Sequence, residues 1–262
     1  MKRTNTSLKP VAVQRITVSA DRVLALSPEE RYAYYMLGHF FNELMLLQKL
    51  LAFALPKHDD NRPLRQQPEM GQVLFLFRIA AGKMWEAKLA LDRVDLSGVL
   101  NVSFLPLIAG GADLLRLWRR RVAEAAWLRN LRDGHSFHYP TFKEWQPLLE
   151  STGDWRDDEI FMSEQSGNVF HAGADSMAQH WMFGQLDPKN PREAVVPMID
   201  ELIELLGQVN SLVEDLLGAF VTERLLDEGV VPEPIGSVAS PAFQAVRIPF
   251  WTHIPAKSAG QL

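Results

Sequence analysis

Leu115-Arg116-Leu117-Trp118-Arg119-Arg120-Arg121-Val122-Ala123-Glu124-Ala125-Ala126-Trp127-Leu128-Arg129-Asn130-Leu131-Arg132-Asp133-Gly134-His135-Ser136-Phe137-His138-Tyr139 is a helical pattern that ends in a cluster of arginines and histidines. Apolar residues recur at Leu115, Trp118, Val122 and Ala125, the spacing of a helix that buries one face. Carried on, the same seven-residue line falls on Arg129, Arg132, Ser136 and Tyr139. A charge on the inward line of a helix is costly unless paired or bound to an anion. The two arginines are therefore expected to meet a carboxylate, a ligand or a second subunit. The helix itself should start near Phe104, tolerate Pro106 in its first turn and bend at Gly110-Gly111.

The flanking sequence supplies helices for it to pack on. Ser27-Pro28-Glu29-Glu30 combines an N-cap, a proline at the first helical position and early carboxylates. It opens a helix expected to run to about Leu55, with Leu37, Phe40, Phe41, Leu44, Leu47, Leu51 and Leu55 on its apolar face. Residues 56–68 read as a proline-marked loop. A second helix fits about 69–95, and a short one about 141–151, followed by a polar loop around Gly153-Asp154. Residues 159–173 read as a hairpin turning at Ser166-Gly167-Asn168, and 174–185 as another short helix. A long helix over about 191–227 turns Ile199, Leu202, Leu206, Val209, Val213, Leu216 and Phe220 inward, and an acidic face outward. Val11, Val13, Ile16 and Val18 alternate as in a strand, and a second strand is expected near Phe243–Ile248. The expected organisation is all-α. An arm (1–26) precedes a bundle domain of four to five helices (27–228), which carries the hairpin insertion near 159–173, and an extended C-terminal tail (229–262) follows.

Composition narrows the chemistry. The 262 residues are 47% hydrophobic, enough for a sizeable core. A net charge of −5 confines any nucleic-acid contact to a local patch. The absence of cysteine excludes disulfides, thiolate nucleophiles and cysteine zinc sites. The basic, polar start does not read as a signal peptide or anchor, and no apolar run is long enough to span a bilayer. A cytoplasmic protein with no membrane partner is expected.

The same stretch holds the candidate chemistry. Arginine can grip a phosphate, and histidine can move a proton near neutral pH. Arg132 and His138 are the leading pair, with Asp133 orienting one of them and Tyr139, Arg129, Asn130 and His135 in support. Six residues along a straight helix amount to roughly 600°, which would set Arg132 and His138 about 120° apart. Either Gly134 ends the helix and lets His138 swing back, or two copies pool their groups across a dimer. Glu86 on the second helix is a candidate partner for Arg129 or Arg132, read first as a surface pair. Arg116, Arg119, Arg120 and Arg121 form a positive stripe suited to a phosphate backbone, although such runs are more often solvated or ion-paired faces. His135 and His138 with His171 or His180 are too sparse for a metal site. No cofactor-binding motif is present.

Arg132-Asp133-Gly134-His135-Ser136-Phe137-His138-Tyr139 resembles the signature of HEPN domains: an arginine, a polar residue next, then a histidine after four to six positions. The Phe137-His138-Tyr139 ending resembles the uncharacterised and abortive-infection branches of that superfamily. Arg129-Asn130 with His135 satisfies the same spacing, so two registers stand. The resemblance implies a helical bundle that forms a homodimer with its motifs facing each other, and metal-independent cleavage of RNA. It also implies a toxin–antitoxin or anti-phage setting in which an antitoxin protein is a partner. The alternative is a non-catalytic module of the same fold that binds a protein or a nucleotide.

Overall fold

The computed structural model describes residues 8–56, 63–150, 158–164, 167–187, 189 and 193–253. In chain order the elements are β1 (Lys9–Arg15), α1 (Ala20–Ala25), α2 (Pro28–Ala54), α3 (Pro63–Asp92) and α4 (Val94–Val99). After two tight helical turns, Leu100–Phe104 and Leu105–Leu107, come α5 (Gly111–Glu124), α6 (Ala126–Gly134) and α7 (Phe142–Glu150). The hairpin β2 (Ile160–Met162) and β3 (Val169–His171) leads into α8 (Ala172–Leu186). Then follow α9 (Val195–Phe220), a wide turn at Val221–Leu225, and β4 (Glu233–Ser240). The protein is mainly helical, with strands as minor additions.

Local chemistry accounts for the helix ends. Ser27 Oγ accepts from the Glu30 backbone N–H, and the Glu30 carboxylate accepts from the Ser27 N–H. This reciprocal cap starts α2 where the sequence asks for it. Gly110 adopts a left-handed φ of 70°, which turns the chain into α5. Between β2 and β3, Gly167 with φ 85° makes the turn, while Ser166 lies outside the described residues.

Helices α2, α3, α9 and the pair α5 and α6 surround one apolar core. The inward face read for the last long helix is buried throughout, from Ile199 to Phe220. Phe104 stacks on Phe220 with ring centroids 4.0 Å apart, and Phe77 on Trp127 at 5.4 Å. Trp118, 2% exposed, donates its indole N–H to the Leu205 carbonyl at 3.3 Å, tying α5 to α9. α7, the hairpin and α8 form a lobe against α3 and α6.

Three expectations change. The helix expected over 104–134 starts only at Gly111, because Ile108 is extended and Gly110 left-handed, and it is interrupted again at Ala125, whose ψ of 65° separates α5, which lies on α9, from α6, which lies on α3. The interruption shifts the phase of the apolar line. Leu128 and Leu131 take the inward positions at 0% exposure, and Arg129 and Arg132 face outward. A buried seam ending in two arginines is therefore not part of this fold, and it no longer argues for a second subunit. Residues 63–68, read as loop, belong to α3 with Pro68 inside it. The strand expected at 243–248 is instead a short helical turn at Phe243–Ala245, and the strand lies upstream as β4. β4 pairs antiparallel with β1, from Lys9 with Ser240 to Arg15 with Glu233, with the register shifting between Val13 and Gln14, so arm and tail form one ribbon. The tail then runs back over the bundle: Phe243 packs on Phe53, and Trp251 donates to the Leu64 carbonyl. The loop read around Gly153-Asp154 lies outside the described residues.

Candidate functional site

α6 presents its charged side at the edge of the bundle. Arg132 Nε donates to Glu86 Oε1 at 2.6 Å, and a terminal guanidinium nitrogen donates to Asp133 Oδ1 at 2.9 Å. Arg129 approaches the other Asp133 oxygen at 3.5 Å. The Asp133 bond first, and the Glu86 bond after it, raise the Arg132 pKa and hold it cationic. Arg132 in turn lowers the Asp133 carboxyl pKa. Glu86 sits one turn beyond Lys83, which bridges to Glu43 on α2 at 2.9 Å, so the ion pairs form a line across three helices. Side chains in the Glu86–Arg132 pair are 45% and 40% exposed, so solvent reaches the guanidinium.

The two histidines have opposite settings. His138 is exposed and makes no hydrogen bond or ion pair among the described residues, including none to Arg132 or Asp133. Phe137, Tyr139 and Phe142 beside it are 58%, 96% and 73% exposed. His135 is buried at 3%, with its ring edge-on to Trp181 at 4.3 Å. Burial lowers its pKa, against a smaller opposing effect from a hydrogen bond with Gln185. α6 ends without a left-handed glycine. Gly134 has no positive φ, and the backbone N–H groups of His135 and Ser136 both donate to the Leu131 carbonyl, widening the last turn. Asn130 is exposed.

The arginine stripe of α5 divides. Arg121 makes a bidentate pair with Glu204 of α9 at 2.6 and 2.9 Å. Arg119 donates to the Leu91 carbonyl and lies 2.8 Å from Asp92, closing the C-terminal end of α3. Arg116 and Arg120 remain at the surface, beside Asp113 at 2.9 Å and Glu124 at 3.8 Å on their own helix.

Sequence reading passed over Arg78 and Asp175, and placed Ser136 on the inward line without a partner. Ser136 Oγ donates to the Arg78 carbonyl at 2.8 Å, pinning the loop after α6 to α3. Burial raises the Asp175 carboxyl pKa. The available signal was the pair of glycines at 71 and 82, which flank Arg78 on one side of α3 at helical spacing. A separate cleft of about 380 Å³ is lined by Trp127, Asp187, Glu193, Met198 and Glu201, and by no motif residue; its carboxylates disfavour a phosphate. No helix among the described residues is long and apolar enough to cross a membrane. No protein-family model matches the chain, and no curated protein or solved structure matches it.

Proposed function

We propose that the protein is a HEPN-like, metal-independent endoribonuclease that works through Arg132 and His138. The observation that carries this reading is the exposed, unpartnered His138, flanked by three exposed aromatic side chains and six residues from an arginine oriented by Glu86 and Asp133. A proton carrier must reach its substrate, and aromatic faces give unstacked bases a surface to stack on. His138 takes the proton of a ribose 2′-hydroxyl as its oxygen attacks the adjacent phosphorus. Arg132 stabilises the charge on the phosphate oxygens, and the bond from phosphorus to the 5′-oxygen breaks as that oxygen takes a proton from water, leaving a 2′,3′-cyclic phosphate. Asp133 and Glu86 position Arg132. In the HEPN pattern two such motifs face each other in a homodimer, and Tyr139 is available for that contact. A cytoplasmic protein of a toxin–antitoxin or anti-phage system, restrained by an antitoxin, fits this activity.

A second reading has its own support. Arg132 already spends its donors on two carboxylates, as expected of a module that binds a protein partner or nucleotide without cutting RNA. Incubating the purified chain with mixed RNA in EDTA, and analysing the new ends, separates the two. Cyclic phosphate ends that vanish in His138→Ala support the enzyme, and intact RNA supports the module.

A further inference from the structure

Eight buried side-chain polar atoms lack a hydrogen-bond partner among the described residues, and five of them belong to Gln67, Gln72, His135, Trp145 and Trp181. All five sit on α3, at the end of α6 or on α8, which pack against α3, or on α7, which packs on α8. Roughly nine in ten buried polar groups in proteins are satisfied, so this concentration marks the seam where the chain runs short of its own partners. The seam is narrow by construction. A Cβ on Gly71 would lie 2.9 Å from the Phe170 ring and 3.4 Å from Asp175 Oδ2, and one on Gly82 would lie 2.8 Å from Ser136 Oγ. Glycine at both positions lets β3, α8 and the 135–137 loop close on α3, with Arg78 between them.

Arg78 is half-buried, and its guanidinium makes no hydrogen bond or ion pair among the described residues, only an approach to the Phe75 ring at 5.9 Å. Its backbone carbonyl receives the Ser136 hydroxyl from the end of α6, and Gly71, two turns earlier on the same face of α3, lies against Asp175 of α8, so Arg78 sits on the face where both elements close. Next to Ser136 in the chain is His135, 3% exposed with Nδ1 unpartnered, against Trp181, 8% exposed with its indole N–H unpartnered. A guanidinium fork, an indole N–H and an imidazole without acceptors call for one group with several anionic oxygens. We infer that the seam between α3 and the α7–α8 lobe is a phosphate-binding site, with Arg78 gripping two oxygens and Trp181 Nε1 and His135 Nδ1 donating to the others. A protonated imidazole attracts the anion more strongly than a neutral one, so the anion enters together with a proton. The charged groups around the ring are Arg78 from α3 and Glu144 from α7, with Asp175 of α8 facing Arg78. The site is distinct from Arg132 and His138 and stands whether or not RNA is cut.

The indole N–H signals of the full-length protein, followed by 1H–15N correlation spectra with Trp181→Phe for assignment, test the site. Inorganic phosphate or sulfate should shift the Trp181 signal saturably, where chloride at equal ionic strength does not. Arg78→Gln should weaken binding about tenfold or more, and Arg78→Lys by less, because a charge remains without the planar fork. Arg132→Gln should leave it unchanged. Sulfate, whose charge is constant in this range, should bind more tightly near pH 6 than near pH 8, and His135→Gln should remove that difference. An uncleavable 2′-deoxy oligonucleotide distinguishes sources: binding at the same signal assigns the site to nucleic-acid phosphates, and binding of inorganic phosphate alone to a free phosphate. Absence of a saturable shift with every anion, or an affinity that neither Arg78 variant weakens, overturns the site.

Discussion

Leu131→Ala and Arg132→Ala, made separately, test the phase shift at Ala125. Leu131 is 0% exposed inside the shared core, and removing a fully buried leucine side chain costs about 2–5 kcal/mol, part transfer and part cavity. An unfolding entropy of about 2.1 cal/mol/K per residue, over 262 residues, gives about 0.55 kcal/mol/K. A loss of about 3 kcal/mol then lowers Tm by about 5 °C. Arg132 loses only half-exposed ion pairs with Glu86 and Asp133, worth about 0–1 kcal/mol at a surface, so its Tm should fall by less than about 2 °C. Thermal unfolding by circular dichroism, with urea midpoints as a second measure, reads both. If the seven-residue line ran on unbroken, the order would reverse. Equal losses, or a larger one for Arg132→Ala, would refute the assignment of Leu128 and Leu131 to the core.

Gly82→Ala should destabilise by about 1–3 kcal/mol despite its helical setting, because the new methyl meets a Ser136 held by bonds to the Arg78 and Leu131 carbonyls. Gly184→Ala, with open space around it, should stabilise by about 0.5–1 kcal/mol, and equal urea midpoints for the two variants would contradict this packing. Burial lowers the His135 pKa below its unfolded value of about 6.5. Its share of stability is therefore complete above about pH 6.5 and is lost as pH falls towards the folded value. His135→Phe should flatten that part of the pH–stability curve. Asp175, raised by burial, acts in the other sense, losing stability as pH rises through its folded value, and the His135→Phe difference curve cancels it. Asn168→Ala removes two hydrogen bonds to Thr252, at 2.6 and 3.1 Å, and should cost about 1–3 kcal/mol. Hydrogen exchange at the Trp251 indole should then accelerate, and unchanged protection would show that the tail is held elsewhere.

What could be read in the sequence follows from which forces act locally. The start of α2 rests on Ser27, Pro28 and Glu30, and the face of α9 on uninterrupted apolar periodicity, so both were legible. The hairpin was legible through Gly167, which a left-handed turn requires. The break at Ala125 was not, because neither glycine nor proline marks it. Packing of α5 on α9 and of α6 on α3 imposes it, and helical propensity gives way to such tertiary demands. Pairing of β1 with β4 joins residues more than 200 apart, a partnership no local window contains. At the site, Glu86 could be proposed as the Arg132 partner from charge alone. Arg78 and Asp175 could not, since their roles depend on which elements close over them.

RNA cleavage is the measurement that bears most directly on Arg132 and His138 as catalytic groups. Wild-type protein in EDTA should cut RNA to fragments ending in 2′,3′-cyclic phosphate. His138→Ala and Arg132→Ala should each lower the rate by about 10²–10⁴-fold while circular dichroism shows an intact fold. His135→Ala should matter less. Intact RNA after incubation with the folded wild type would contradict the ribonuclease reading. Cleavage that survives His138→Ala but stops with His135→Ala would move the chemistry to Arg129 and His135.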